Sequence, residues 1–516
     1  MGISLLVIRM KTPLFIGVDI GSSAIKALVV RADGTLLASA RRPHSINHPE
    51  VDRAEMNAET DWWGGTTAVI QEVLNHPEVN PKLIAGVGIC SIGASFVPVN
   101  SNGVALRPGI LYGIDNRASA QISQFNAEFG DDFLLKKNGR RLSSQSVGPK
   151  IAWLREIEPE IWARTTQLLP PSAFIGFRLS GVAAIDLHTA LSFDPLFNTN
   201  EMCWDKEMCN RIIGASALSL LPAVVLANDC IGNVSKWASE TTGLPEGTPI
   251  ACGTADVVAE AVGIGIWAEG DVLVMYGSTL FLLERVSQFR PSPPLWPSFL
   301  LNKNQPTLLA GASNGGSLLV WYLREFVVES DLESLLDQAS LISPGSDGLL
   351  CLPYFSGERA PIFDPNARGV FIGLTTKHTR VHMLRALLEG IAFSFRHMLE
   401  TLSEGSDHLK NKRLIGSGGG IRTHLWMQIM SDVSGQIQHF PKVPEGAALG
   451  AAFLGGQASG YFACHDSIPS SWTGAFHQIA PNADRHNLYN QIYPIFLNAY
   501  KANAELMHDL SKFNQK

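Results

Sequence analysis

Two stretches of this 516-residue chain share one pattern, and it limits what the chain can fold into. Leu14-Phe15-Ile16-Gly17-Val18-Asp19-Ile20 is an apolar, β-branched run. It is followed by Gly21-Ser22-Ser23 and a second apolar run, Ile25-Lys26-Ala27-Leu28-Val29-Val30, which ends at Asp33-Gly34. Gly277-Ser278-Thr279 lies in the same way between Asp271–Tyr276 and Leu280–Leu283, 256 residues after the first turn. Apolar runs bounded by Gly and hydroxyl residues read as antiparallel strands joined by tight turns. The recurrence admits two readings. One is a duplicated fold, each half built on the same strand–turn–strand unit. The other is coincidence, because such hairpins are common. At roughly 100–200 residues per domain, the length calls for two to four domains.

Hydrophobic residues make up 46% and charged residues 17%, so the chain can bury large cores and is not disordered. Lys+Arg is 40 and Asp+Glu is 47, a net charge of -7. That argues against nucleic-acid binding through a general basic field, but it leaves room for an anionic ligand held at a local site. The seven cysteines are scattered without a C-x-x-C, so reduced, buried thiols are expected and not a disulfide framework or a zinc site. The start, Met1–Lys11, has an apolar run but no positive region before it and no small-residue cleavage site, so no signal peptide is expected. Met10 leaves a second initiation point open. No uncharged apolar stretch of 18 residues occurs, so no transmembrane helix is expected and the chain reads as cytosolic.

Further along, Asn57–Leu74 carries apolar residues near a 3.6 period, and Leu83–Ser91 reads as a buried strand. The region 120–245 mixes helical and loop patterns and shows little legible chemistry. Ile250-Ala251-Cys252-Gly253 reads as a strand that turns through Thr254-Ala255-Asp256 into an apolar helix, Val257–Ile264. Helices are expected at His378–Leu402, with an apolar stripe that marks core packing, at Thr423–Ser434, and at Asn487–Leu510.

There is no G-x-x-x-x-G-K-[ST], so this is not a P-loop protein. Gly86-x-Gly88 and Gly416-x-Gly418 make a poor dinucleotide fingerprint, so a nicotinamide-dependent oxidoreductase rests only on scattered glycines. A tight Gly-Ser/Thr hairpin is a third way to hold phosphates, through exposed amides and hydroxyls. Gly21, Ser22 and Ser23 form one such hairpin and Gly277, Ser278 and Thr279 the other, while Gly418-Gly419-Gly420 stands at a helix start. Phosphoryl transfer from ATP also needs magnesium and a base. Asp19, at the end of the first strand, suits the ion through water, and Asp256, at a strand-to-helix turn, suits a base. On position alone each is equally an ordinary turn former or N-cap.

Taken in order, these segments resemble the FGGY family of carbohydrate kinases, which includes xylulokinase-like and glycerol-kinase-like enzymes. The matching stretches are Phe15–Ser23, Leu111–Ala118 with its Asp115-Asn116-Arg117, Gly253–Asp256, Tyr276–Thr279, Pro353–Pro361 with Asp364–Gly369, Gly418–Gln428 and Glu445–Ala452. Together they cover about residues 14–460, and the Pro353–Gly369 stretch is the most specific. The resemblance implies an α/β fold of two actin-like (ribonuclease H-like, ASKHA) domains, 13–266 and 267–516, with an interdomain active-site cleft. It implies ATP-dependent phosphorylation of a sugar or polyol hydroxyl with Mg2+. In that picture Asp256 is the general base and helps hold the ion, Asp19 is the magnesium-associated carboxylate, and Asp115 is a sugar-hydroxyl ligand. Gly21, Ser22, Ser23, Gly277, Ser278, Thr279, Gly311, Gly419, Gly420 and Thr423 contact the nucleotide. The partner is then a small molecule, with no nucleic acid and no membrane, and homodimerisation stays open. Where xylulokinases carry a Gln-Met-His-Gly type motif and glycerol kinases an Arg-Glu pair, this chain reads Ser91-Ile92-Gly93-Ala94-Ser95-Phe96, so neither D-xylulose nor glycerol is to be assumed. The competing reading on the same fold is a catalytically inactive nucleotide- or sugar-sensing protein.

Overall fold

The computed structural model describes residues 12–514 apart from 216, 292, 328–331, 404–408, 410–411, 442–445 and 466. The initiation question at Met1 and Met10, and Glu445 of the last motif, lie outside the described residues. The chain divides into two compact units. The first takes in Met1–Gly265, Phe299–Asn304 and Glu445–Thr473, and the second Ile266–Ser298, Gln305–Pro444 and Gly474–Lys516. Each unit is α/β and carries its own apolar core.

The first unit is built on strands β1 (Leu14–Ile20), β2 (Ala24–Arg31), β3 (Leu36–Pro43), β4 (Ile84–Ser91), β5 (Cys230–Asn233) and β6 (Pro249–Ala251). All seven residues of β1 are buried, as an apolar run covered on both faces must be, while β3 alternates buried and exposed positions towards the sheet edge. Helix α1 (Gly65–Leu74) follows a π-helical turn, Ala58–Gly64, so the single helix expected over 57–74 comes in two parts. Helix α2 (Asp256–Gly263) begins at the expected acidic residue.

The second unit carries β7 (Asp271–Tyr276), β8 (Leu280–Arg285), β9 (Trp296–Phe299), β10 (Pro306–Gly311), β11 (Arg413–Ser417), β12 (Gln438–Pro441) and β13 (Phe476–Ile479). Its longer helices are α3 (Gly316–Phe326), α4 (Arg380–Leu402), α5 (His424–Ser434) and α6 (Ala483–Ser511). Helix α6 starts earlier than the apolar pattern shows because the Asn482 side chain caps it, accepting from Arg485 N at 3.0 Å.

Across six strands the two sheets share the same succession of pairings, although the two outermost strands on one side come in opposite chain order. In the first the order is β3-β2-β1-β4-β6-β5, with steps that are antiparallel, antiparallel, parallel, parallel and antiparallel. In the second, β10-β8-β7-β11-β12-β13 runs through the same five relations. A chance hairpin would not carry four further strands with it, so the duplicated unit is the reading that holds.

One helix of the first unit has no amphipathic face. Gly446–Ala458, GAALGAAFLGGQA, is buried over its first twelve residues, and it is referred to below as the glycine helix. A Cβ on Gly17 of β1 would lie 1.8 Å from Ala448 O, one on Gly88 of β4 1.7 Å from Ala451 O, and one on Gly450 1.9 Å from Ala259 O of α2. Sheet, glycine helix and α2 therefore meet backbone to backbone, closer than any side chain allows.

Among the described residues no disulfide joins the cysteines. Cys90, Cys209, Cys252 and Cys351 are buried as expected, but Cys203, Cys230 and Cys464 are exposed. No helix is long and apolar enough to cross a membrane among the described residues. Gly88→Ala should destabilise the first unit by about 3 kcal/mol or more, at or beyond the usual range for overpacking, because the obstacle is backbone rather than a movable side chain. Urea denaturation followed by circular dichroism reads this as a lowered midpoint at an unchanged slope.

Candidate active site

The hairpin of β1 and β2 places Lys26 opposite Asp19, and the parallel pairing of β1 with β4 places Cys90 on its other side. Lys26 Nζ lies 3.4 Å from Asp19 Oδ2, and Cys90 Sγ donates to Asp19 Oδ1 at 3.7 Å and to Ala447 O of the glycine helix at 3.5 Å. Asp19 is buried, which pushes its carboxyl above the ordinary value, while the charge and hydrogen bond of Lys26 pull it back. Burial pushes the Lys26 ammonium down, but Asp19 and then Glu260 outweigh it and leave it above its ordinary value. Gly21 closes the turn, with its amide donating to Ala24 O at 3.1 Å, and Ser23 is exposed.

Asp256 reaches the same place from β4's other neighbour. Thr254 and Ala255 pair in parallel with Cys90 and Ser91, so Asp19, Cys90 and Thr254 stand side by side across the sheet. The strand can turn there because Gly253 takes φ +79 with a Cβ position 2.2 Å from Ile89 O, which no other residue could occupy. Asp256 opens α2 and its Oδ1 accepts from Val257 N at 2.7 Å. Its carboxyl is pushed up to about 7, first by burial and then by the charge of Asp19. Glu260 pushes in the same direction, against the Val257 amide and Lys26. Glu260 follows Asp256 by one helical turn and is buried.

Carboxylates that repel one another, Asp19 and Glu260 buried and Asp256 half-buried, fit a hard divalent cation, which would relieve that repulsion. Among the described residues no group of three His, Cys, Asp or Glu side chains could cage a metal ion. An ion here would be held by one or two carboxylates, with water and ligand oxygens completing the shell, as Mg2+ prefers.

Asp115 is fully buried and already engaged. Ala54 N donates to its Oδ2 at 2.7 Å, and Arg117 Nε and Nη2 donate to the carboxylate at 2.9 and 2.7 Å. Arg117 also donates to Glu55 Oε1 at 2.8 Å and lies over the Trp153 ring at 4.9 Å. Beneath this wall Lys150, with no exposed surface, donates to Leu111 O at 2.6 Å and Tyr112 O at 2.8 Å, and burial pushes it down to about 7. With no exposed surface and both oxygens taken by Ala54 N and Arg117, Asp115 could meet a sugar hydroxyl only where that hydroxyl displaced one of these bonds.

In the second unit three glycine segments converge on the end of β7. Gly316 N donates to Gly277 O and Ser317 N to Ser278 O, both at 3.0 Å, so the first amides of α3 are spent on the hairpin. Gly311 stands opposite Phe281 in the sheet, and Ala312 N donates to Leu280 O at 2.9 Å. Gly420 faces Tyr276 and Trp426, with a Cβ position 2.7 Å from the Trp426 ring. The sequence reading placed Gly418-Gly419-Gly420 at a helix start. Here Gly419–Arg422 is a separate 3-10 turn and α5 begins after Thr423, whose side chain makes no capping bond. The Pro353–Pro361 stretch acts as a clamp on the Gly311 segment. Glu358 Oε1 accepts from Ser313 N and from Arg359 N at 2.8 Å, and Asn314 Nδ2 donates to Gly357 O at 3.1 Å. Burial pushes Glu358 up to about 7.

Sequence reasoning did not single out Lys26, Glu260 or Lys150. Lys26 was findable, since a tight turn at Gly21–Ser23 puts it across from Asp19, and Glu260 is a helical turn from Asp256. Lys150 had no such signal.

The chain matches two family models, the N-terminal domain of the FGGY family of carbohydrate kinases over residues 14–263 and the C-terminal domain over residues 273–459. It is 29% identical over 505 residues to the xylulose kinase of Bacillus subtilis (strain 168), covering 97% of this chain and 99% of that protein. It is 27% identical to the gluconokinase of the same organism over 94% of this chain and 95% of that protein. The crystal structure of xylulose kinase from Rhodospirillum rubrum superposes with a TM-score of 0.85 at 27% identity, covering 96% of this chain and all of that one.

The Asp256 carboxyl titrates near 7 when folded and near 3.8 when unfolded. The folded state therefore holds the extra proton between those values, and the group's contribution falls as pH rises through that window and is fully lost above it. In magnesium-free buffer, Asp256→Asn should raise the thermal midpoint relative to the parent at pH 8 and change it little at pH 4. Scanning calorimetry at both pH values reads the difference, and an equal effect at both would contradict the electrostatic origin.

Proposed function

The chain belongs to the FGGY family of carbohydrate kinases, and we propose that it transfers the terminal phosphoryl group of ATP to a hydroxyl of a small sugar, polyol or sugar acid. The observation that carries the proposal is the charge coupling of Asp256 with Asp19, two carboxylates carried by the elements on either side of β4, with the first poised near neutrality. Asp256, as general base, takes the proton of the acceptor hydroxyl. Asp19, with Asp256, holds Mg2+, which when bound neutralises charge on the phosphates. Lys26 balances part of the negative charge around Asp19, so that anionic phosphate can enter a site rich in carboxylates. The Gly21–Ser23 and Gly277–Thr279 hairpins donate amides and hydroxyls to the phosphates, with Gly311, Gly419, Gly420 and Thr423 facing the rest of ATP.

The relatives' names make xylulose and gluconate the first acceptors to try. The wall beside Asp256 is small: Gly93 and Ala255 approach to 3.6 Å from a Cβ on Gly93. Ser91 Oγ accepts from Ser172 N at 3.0 Å and Ser95 Oγ donates to Gly93 O at 3.1 Å, so neither hydroxyl is idle. Recognition of the acceptor then falls to main-chain groups, and to Asp115 where a hydroxyl displaces one of its bonds to Ala54 N or Arg117. We place the reaction in the cytoplasm, with no nucleic-acid partner. Both acidic residues and Lys26 are in place, so nothing favours a catalytically inactive sensor.

A coupled assay with ATP, Mg2+ and a panel of xylulose, ribulose, gluconate, glycerol and aldoses should show turnover with at least one acceptor. Asp256→Asn should lower kcat by about 10²–10⁴-fold while leaving ATP affinity within about threefold. Folded protein that phosphorylates no member of the panel, or an Asp256→Asn variant with parental kcat, would overturn the proposal.

A further inference from the structure

The region 120–245 showed little legible chemistry in the sequence, yet one of its residues reaches the motif that carries Asp256. Asp186 ends the short strand Ala184–Asp186, which pairs in parallel with Ala223–Val225, and it caps the helix Leu187–Leu191. It is 2% exposed. Its Oδ2 accepts from His188 N at 3.1 Å and from the Thr254 hydroxyl at 2.7 Å, and the hydroxyl and amide of Thr189 in the same helix turn also bear on the carboxylate. Thr254 is also fully buried and stands in register with Cys90, which in turn stands in register with Asp19.

A cap on a five-residue helix does not require a buried acid. Burying a carboxylate costs more than such a cap returns. The second bond, to Thr254, supplies the reason for the residue. The Thr254–Ala255 strand is only two residues long and lies between Gly253, in the left-handed region, and the start of α2. A segment so short and so placed is held by little of its own. Pairing with β4 fixes it on one side, and the Asp186 carboxylate fixes it on the other.

We propose that Asp186 is a positioning residue for the phosphoryl-transfer reaction, fixing the place of Asp256 through its hydrogen bond with the Thr254 hydroxyl. The inference rests on Asp256 being the general base. A base displaced by a fraction of an ångström from the acceptor hydroxyl loses rate without losing substrate affinity, and a 1 Å error costs about 10²-fold. Asp186 touches neither ATP nor sugar in this account, so its loss should appear in kcat and not in the Michaelis constants.

The test compares Thr254→Val, Thr254→Ser, Asp186→Asn, the Asp186→Asn/Thr254→Val double variant and Asp256→Asn. Each is assayed under single-turnover conditions with xylulose or the panel acceptor that turns over best, after circular dichroism has shown parental folding. Thr254→Val keeps the size and the strand preference of threonine and removes only the hydroxyl. Thr254→Val and Asp186→Asn should each lower the single-turnover rate by about 10–100-fold with both Michaelis constants within about threefold. The double variant should be no slower than the slower single variant, because both remove the same bond. Thr254→Ser, which keeps the hydroxyl, should remain within about threefold of the parent. A merely structural bond would lower the thermal midpoint of all the valine and asparagine variants while leaving the rate of the folded fraction within twofold, and that result overturns the inference. So would losses that multiply in the double variant, or a Thr254→Ser as slow as Thr254→Val. If Asp256→Asn itself keeps the parental rate, the general-base reading fails first. If Asp256→Asn is inactive but the Thr254 and Asp186 variants are not slowed, only the positioning role fails.

Discussion

The first unit depends on a contact between main chains. The glycine helix lies against β1 and β4 at distances that leave no room for a Cβ on Gly17 or Gly88, and against α2 at distances that leave none on Gly450. Dispersion and exclusion of water act over the whole length of this contact, since Gly446–Gln457 are all buried. Its importance to the site is geometric. Strand β1 carries Asp19, β4 carries Cys90, and α2 opens with Asp256. The glycine helix is the body against which all three are set, and Cys90 touches it through Ala447 O. Backbone packed on backbone has few rotamers to vary, so the spacing between the two carboxylates is fixed more tightly than side-chain packing could fix it.

That spacing has an electrostatic consequence. Asp19 and Glu260 both raise the proton affinity of Asp256, and Lys26 offsets only part of their charge. The unliganded site is therefore less stable than a neutral replacement would be, and what relieves it is a cation or a proton. Stability is given up locally in a way that suits binding of the reacting ion and abstraction of a proton near neutral pH. The glycine contact next to it is where the fold has stability to spare for this.

Much of this was legible in the residues. The duplicated hairpins, Asp19, and Asp256 at a strand-to-helix turn all followed from apolar runs broken by Gly and Ser, because those signals are local. The FGGY resemblance named the remaining segments in order. What was not legible is what depends on distant chain meeting. Glu445–Ala452 was recognisable as a motif, but a helix apolar all round gives no face to orient it, so its place between β1, β4 and α2 could not be read. Asp186 and Lys150 lie in sequence that alternates weakly between helix and loop, and their partners are 68 and about 39 residues away. The Gly418–Gly420 run was placed correctly, just before the helix His424–Ser434, but its own 3-10 turn was not legible. Glycines before a helix look like its first turn, and only the packing of Gly420 on Tyr276 and Trp426 shows that they form a turn of their own.

The glycine helix also sets an order of events during synthesis. The strands of the first sheet are all made by residue 255, yet the helix that covers β1 and β4 is not complete until residue 458. For some two hundred residues of elongation the sheet must wait with a glycine-lined face open, while the strands of the second unit emerge with nearly the same hairpin design. A nascent chain in that position offers two similar sheets to one another before either is closed. The smallness of the uncovered face, with little side chain to stick to, is then a protection as well as a packing requirement.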